Sequence, residues 1–185
     1  MQELLDAKFT EENFNEILFK FLFHEPFFAD IIRFLRKVPT YSIPTAGVAY
    51  DGTSIILYYN PNFLNSLTEQ QIYGLLKHEC YHIIYKHISS RKQDPHLLWN
   101  IATDLAINST IPERELPPGG LIPGKKFSSE GLEDFPEEVL EKREKLSSFI
   151  ASLPRDKNSE WYMNKLREDQ EMSDLVDELF SEKSQ

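Results

Sequence analysis

The chain has 185 residues, 41% of them hydrophobic, which is enough to bury one core, and one domain is predicted over residues 1–168. Its net charge of -10, without a Lys/Arg cluster, argues against a nucleic-acid partner. No stretch approaches the roughly 18 apolar residues of a membrane span, and the N-terminus is acidic where a secretory signal would be basic. We therefore expect a cytoplasmic protein that binds neither nucleic acid nor membrane.

The N-terminal part of the chain is predicted to hold two helices and a β-hairpin. Helical patterns cover residues 10–23, which are rich in Phe, and residues 27–36. Residues 47–50 and 54–59 then flank Asp51-Gly52, a strong signal for a hairpin turn. The predicted fold class is therefore α+β, mainly helical, with a small β-hairpin or sheet beside the next helix.

The next predicted helix covers residues 67–87 and contains the sequence H-E-x-x-H. Positions four apart lie on one face of a helix, so His78 and His82 can share one cation. Glu79 can reach a metal-bound water without binding the metal, which is where a general base must lie. The pattern predicts two metal ligands and a base. The alternative is that both histidines belong to the core and Glu79 is a solvated charge.

A catalytic zinc ion needs a third protein ligand and an open position for water. A further helix is predicted over residues 94–108, begun by Asp94 as N-cap, and its polar residues Asn100, Asp104 and Asn108 form one stripe. A carboxylate flanked by apolar surface is costly to bury unless a positive charge meets it. Asp104 is therefore predicted as the third ligand. The alternative is that Asp104 pairs with Arg91 or Lys92, or caps a neighbouring turn.

His87 and Cys80 are not expected to bind the same metal. Residues 83–86 contain no helix breaker, so His87 would point about 140° away from His82. Cys80 would point about 200° away from His78 on the same helix. We expect a structural or supporting role for His87 and a buried free thiol for Cys80.

Several sequence blocks follow one another in a specific order between about residues 27 and 167. They are Pro44-Thr45-Ala46-Gly47-Val48, Asp51-Gly52, Tyr59-Asn60-Pro61, Leu76-Lys77-His78-Glu79 with His82, His87 and Arg91, Trp99-Asn100 with Asp104, Leu116-Pro117-Pro118-Gly119-Gly120-Leu121, and Ser159-Glu160-Trp161-Tyr162. With these blocks the chain resembles the zincin-like metallopeptidase domains that often precede a von Willebrand factor A domain in bacterial proteins. The 185 residues leave no room for that second domain, so we expect a free-standing version.

The resemblance implies a zincin-like fold with His78, His82 and Asp104 as ligands of one Zn²⁺ ion per chain and Glu79 as the base. The predicted function is zinc-dependent hydrolysis of peptide bonds in a peptide or protein substrate. The alternative is a non-catalytic zinc-binding scaffold, or a protein-interaction domain, with the same fold. Three ligands and a base favour the enzyme, although such a ligand set also accepts manganese, iron or cobalt. Tyr81, His87 and Tyr162 are candidate donors to the transition state.

The C-terminal part is predicted to begin with a loop and to continue as helices. Residues 111–124 are rich in Pro and Gly, so this loop is expected to lie over or beside the site. Helices follow over residues 136–150 and from Ser159 onward. The tail, residues 169–185, is acidic and has apolar residues on one helical face. It is expected either to dock as a helix, on the domain or on a protein partner, or to be disordered.

Overall fold

The computed structural model describes residues 9–127 and 136–181. Among these residues the chain is mainly helical and contains one three-stranded sheet, so the predicted α+β class is confirmed. The chain divides into two units, of which the first comprises the residues up to Ser90 together with Arg114–Pro117. The second comprises Arg91–Glu113 and the residues from Pro118 onward. The extent of the predicted domain, residues 1–168, stays a prediction.

Among the described residues, the first unit contains four α-helices and the three strands. They are α1 (Glu11–His24), α2 (Pro26–Phe34), β1 (Arg36–Pro39), β2 (Ala46–Tyr50), β3 (Ile55–Tyr59), α3 (Pro61–Asn65) and α4 (Glu69–Ile84). Helices α1 and α4 each begin at a capping box, in which a threonine hydroxyl and the side chain three residues later satisfy each other's backbone N–H groups. In α4 these residues are Thr68 and Gln71, so the start of this helix is determined locally by its own sequence.

The sheet has the strand order β1-β3-β2. Strands β2 and β3 form the predicted antiparallel hairpin, with Ala46 opposite Tyr59 and Tyr50 opposite Ile55. The Asp51 carboxylate fixes the turn by accepting hydrogen bonds from the N–H groups of Thr53 at 2.9 Å and Ser54 at 2.8 Å. Strand β1 pairs in parallel with β3 and was not predicted. Strand β2 is thus an edge of the described sheet.

A hydrophobic core joins the sheet to the helices of the first unit. Strand β3 contributes Leu57 and Tyr59 to this core, and α4 contributes Ile72, Leu76 and Cys80. Complete burial of a side chain such as Leu57, Ile72 or Leu76 stabilises the folded state by roughly 1.5–3 kcal/mol. Helix α4 also contacts α2 and β2, so the predicted sheet beside the H-E-x-x-H helix is confirmed. Cys80 is a buried free thiol, as predicted, and burial raises its pKa to about 12.

The second unit is helical. Its helices are α5 (His96–Asn108), α6 (Glu137–Ser152), α7 (Ser159–Glu168) and α8 (Gln170–Ser181). Helix α8 lies in the predicted tail, and Met172, Leu175 and Val176 place its apolar face in the core of this unit. Residues 182–185 of the tail lie outside the described residues. No helix among the described residues is long and apolar enough to cross a membrane.

Candidate metal centre

The helix that contains the H-E-x-x-H sequence ends at Ile84, so the prediction that it continues to residue 87 is wrong. Lys86 adopts the left-handed conformation with a φ of 59°. Its N–H donates to the Ile83 carbonyl at 3.0 Å, and the N–H of His87 donates to the His82 carbonyl at 2.9 Å. These two bonds form a Schellman motif, whose left-handed position is usually a glycine. Here a lysine occupies this position at an energetic cost. Because no glycine marks the end of the helix, the sequence pattern did not show it.

His78 and His82 face each other on one side of α4. Their Nε2 atoms lie 3.0 Å apart, and both side chains are half-buried. Tetrahedral zinc with Zn–N bonds of about 2.0–2.1 Å separates two ligand nitrogens by about 3.3 Å. The two rings therefore fit a shared metal ion with only a small adjustment.

His87 lies against His82 because the Schellman motif turns the chain back. Its Nδ1 atom is 3.3 Å from the Nδ1 atom of His82, the ring nitrogen that does not face His78. Only 3% of His87 is exposed. The prediction that His87 points far away from His82 is therefore wrong, because it assumed an unbroken helix.

Glu79 is 4% exposed, so the alternative in which it is a solvated charge is wrong. It lines an apolar pocket of the first unit together with Phe14, Ala46, Leu57, Tyr59, Leu64, Leu75 and Leu76. Among the described residues, none forms a hydrogen bond or an ion pair with the Glu79 carboxylate. A carboxylate in such surroundings is costly for stability, and buried groups of this kind commonly have a chemical role.

A buried ion cluster lies on α4 immediately before His78, and no sequence pattern predicted it. Lys77 is 7% exposed and forms ion pairs with Glu25, at 2.8 Å, and with Glu115. Burial alone lowers the pKa of the Lys77 ammonium, but its hydrogen bonds with Glu115 and Glu25 outweigh this effect and the net shift is upward. The cluster therefore holds the Glu115 segment of the predicted Pro/Gly-rich loop against α4.

Gly74 allows this segment to approach α4. A Cβ atom at position 74 would lie 1.9 Å from the Glu115 carbonyl oxygen. The contact lies one helical turn before His78. Of the predicted loop, the segment Arg114–Pro117 belongs to the first unit, and Glu115 in it lies beside the H-E-x-x-H helix.

Asp104 lies on α5 of the second unit, and its side chain is half-buried. In the polar stripe of this helix, Asn100 is exposed, whereas Asn108 is buried and donates to the Leu121 carbonyl at 2.9 Å. Helix α5 begins at His96 without a side-chain cap, so the prediction of Asp94 as its N-cap is wrong. Asp104 is therefore a carboxylate flanked by buried apolar residues of α5, and its prediction as a metal ligand rests on this property.

The tyrosines predicted as transition-state donors occupy packed positions. Tyr162 is fully buried, and its hydroxyl donates to the Pro154 carbonyl at 2.8 Å within the second unit. The Tyr81 ring packs against Phe28 and stacks on Tyr85. Arg91, from the same sequence blocks, pairs with Glu160 in the second unit through an Nε–Oε1 distance of 3.1 Å.

Comparison with known proteins gives one family match over most of the chain. A family model described as "Putative metallopeptidase domain" matches residues 14–166. A protein of Thermotoga maritima, described as uncharacterized, is 27% identical over 106 residues, which are 56% of this chain and 27% of that protein. The chain thus matches only about a quarter of that relative's length. No solved structure matches the chain. Because the family model covers residues 14–166, the chain belongs to the family described as "Putative metallopeptidase domain".

Proposed function

We propose that this domain is a zinc-dependent peptidase, with His78, His82 and Asp104 as metal ligands and Glu79 as general base. The observation that carries the proposal is the arrangement on α4. Two Nε2 atoms lie 3.0 Å apart on one face, and the residue after the first histidine is a glutamate in an apolar pocket. Membership in a metallopeptidase domain family supports the same conclusion.

The three proposed ligands have the properties that a catalytic zinc site requires. Each is half-buried and offers one ligand atom, a ring nitrogen or a carboxylate oxygen. Three protein ligands leave one position of a tetrahedral ion open, whereas structural zinc sites use four. When bound there, zinc supplies Lewis acidity, which makes water a stronger nucleophile and a substrate carbonyl more electrophilic.

Glu79 supplies the proton transfers. Its carboxylate forms no hydrogen bond or ion pair with a described residue, so its lone pairs are available to water. It accepts a proton from the attacking water and then delivers that proton to the leaving amine. Because only 4% of Glu79 is exposed, the effective dielectric constant around its carboxylate is lower than in water, which strengthens these interactions.

We propose that the substrate backbone binds along β2. This strand pairs only with β3 in the described sheet, and Ala49 and Tyr50 on it are exposed. An edge strand presents unpaired N–H and C=O groups that an extended peptide can pair with. Strand β2 also contacts α4, and Ala46 lines the same pocket as Glu79. A peptide on this edge would therefore pass close to the base.

The proposal also includes the cellular location of the protein and a binding partner. The first is a cytoplasmic location. The second is a protein partner on the acidic outer face of α8, where Glu171, Asp174, Asp177 and Glu178 are exposed.

The test compares peptide hydrolysis by wild type, Glu79→Gln and Glu12→Gln, all loaded with zinc, on a peptide library read by mass spectrometry. Glu12 is an exposed glutamate on α1 and serves as the matched control. We expect cleavage by wild type and Glu12→Gln, and a loss of about 100-fold or more in Glu79→Gln with zinc retained. Full activity of Glu79→Gln would contradict its role as base. Bound zinc without any cleavage by wild type would favour the non-catalytic scaffold.

A further inference from the structure

We propose that His87 is a positioning residue for His82, holding the ring of that ligand in the tautomer and orientation that metal binding requires. The proposal rests on the zinc site proposed above. Its basis is the 3.3 Å separation between the Nδ1 atoms of the two rings. The remaining ring nitrogen of His82, Nε2, faces His78. The two nitrogens of His82 therefore have two different neighbours.

The backbone fixes His87 in this place. The Schellman motif joins the same two residues through the bond from the His87 N–H to the His82 carbonyl, at 2.9 Å. The His87 ring also contacts the Tyr85 ring, with centroids 5.6 Å apart, and only 3% of the residue is exposed. The end of α4 thus fixes the backbone of His87 next to His82, and burial restricts the movement of the His87 ring.

The chemistry of imidazole then determines which nitrogen carries the hydrogen. A neutral imidazole has one N–H group and one lone pair. If the Nε2 lone pair of His82 binds the metal, its Nδ1 must carry the hydrogen. A hydrogen bond between the two rings then requires a lone pair on Nδ1 of His87, whose own hydrogen lies on Nε2. Metal-binding histidines usually donate this second N–H to a carboxylate, carbonyl or water. Here the acceptor is another imidazole.

The test uses two substitutions that separate hydrogen bonding from packing. His87→Leu fills similar space without an acceptor, whereas His87→Asn keeps an oxygen acceptor close to the position of Nδ1. His24→Leu, at an exposed histidine on α1, is the control. Zinc affinity is measured by competition with a chelator, and the melting temperature of each metal-free protein is measured in parallel. We expect a loss of about 10–100-fold in zinc affinity for His87→Leu, recovery of most of it in His87→Asn, and no change in the control.

Nitrogen NMR of zinc-loaded wild type with labelled histidine provides a readout that does not depend on the variants. We expect the His82 hydrogen on Nδ1 and the His87 hydrogen on Nε2. A hydrogen on Nδ1 of His87 would overturn the proposal, and so would unchanged zinc affinity in His87→Leu or equal losses in both variants. In each of these cases wild type still binds zinc, so the proposed metal site would stand. A wild type that binds no zinc would overturn both proposals together.

Discussion

Gly74→Ala tests the contact that holds the Glu115 segment against α4. The added Cβ atom would lie 1.9 Å from the carbonyl oxygen of Glu115 and 2.6 Å from its carbonyl carbon. Both neighbours are backbone atoms, so no side-chain rotation can relieve the overlap. Either α4 or the Glu115 segment must shift, and the buried ion pair between Lys77 and Glu115 lies directly beside this contact.

The expected loss of stability follows from two opposing effects. Overpacking in a well-packed region costs about 1–3 kcal/mol, and overlap with backbone atoms favours the upper end of that range. Replacing glycine by alanine within a helix stabilises the helix by about 1 kcal/mol, because alanine has the higher helix propensity. The net destabilisation of Gly74→Ala is therefore about 2 kcal/mol, which lowers the melting temperature of a chain of this length by about 4–8 °C.

Chemical denaturation and calorimetry of the metal-free protein measure this effect. The matched control is Gly47→Ala in β2, where an added Cβ meets nothing within 4 Å. We expect the control to be neutral or slightly stabilising, because alanine reduces the entropy of the unfolded chain. A Gly74→Ala protein as stable as wild type would refute the close approach of Glu115 to α4.

Three further substitutions test the local energetics of the first unit. Lys86→Gly relieves the left-handed backbone of the Schellman motif and should raise the free energy of unfolding by about 1 kcal/mol, whereas Lys86→Ala should not. Lys77→Met leaves Glu115 buried without its cation and should cost about 3 kcal/mol at neutral pH, and adding Glu115→Gln should recover part of it. Hydrogen bonds from the Ser54 and Thr53 backbone lower the pKa of Asp51 to about 2, so this carboxylate stabilises the fold above its ordinary pKa of 3.8. The stability difference between wild type and Asp51→Ala should therefore shrink as the pH falls from about 4 to about 2.

The features that the sequence predicted are those determined within a few residues. Thr68 and Gln71 define the start of α4, and Asp51-Gly52 defines the hairpin, because each acts on neighbouring backbone groups. Strand β1 was missed because it is four residues long, ends in Pro39 and pairs in parallel with a strand distant in sequence. Its formation depends on β3 rather than on its own pattern.

In the candidate site, too, the sequence predicted the feature that helical spacing determines and missed two others. The spacing of His78 and His82 predicts their common face, and helical geometry alone brings their Nε2 atoms together. The position of His87 was missed because a lysine, not a glycine, occupies the left-handed position after α4. The Lys77 ion cluster was missed because its partners lie 52 and 38 residues away in the chain. Such contacts leave no periodic signal in the sequence.

Metal content per chain, measured by elemental analysis after zinc loading and removal of free metal, tests the central claim most directly. The comparison uses wild type, Glu79→Gln and Asp104→Ala. The account predicts about one zinc ion per chain in wild type and in Glu79→Gln, and its loss in Asp104→Ala. Full zinc in Asp104→Ala would contradict the assignment of the third ligand, and no bound metal in wild type would contradict the proposed peptidase.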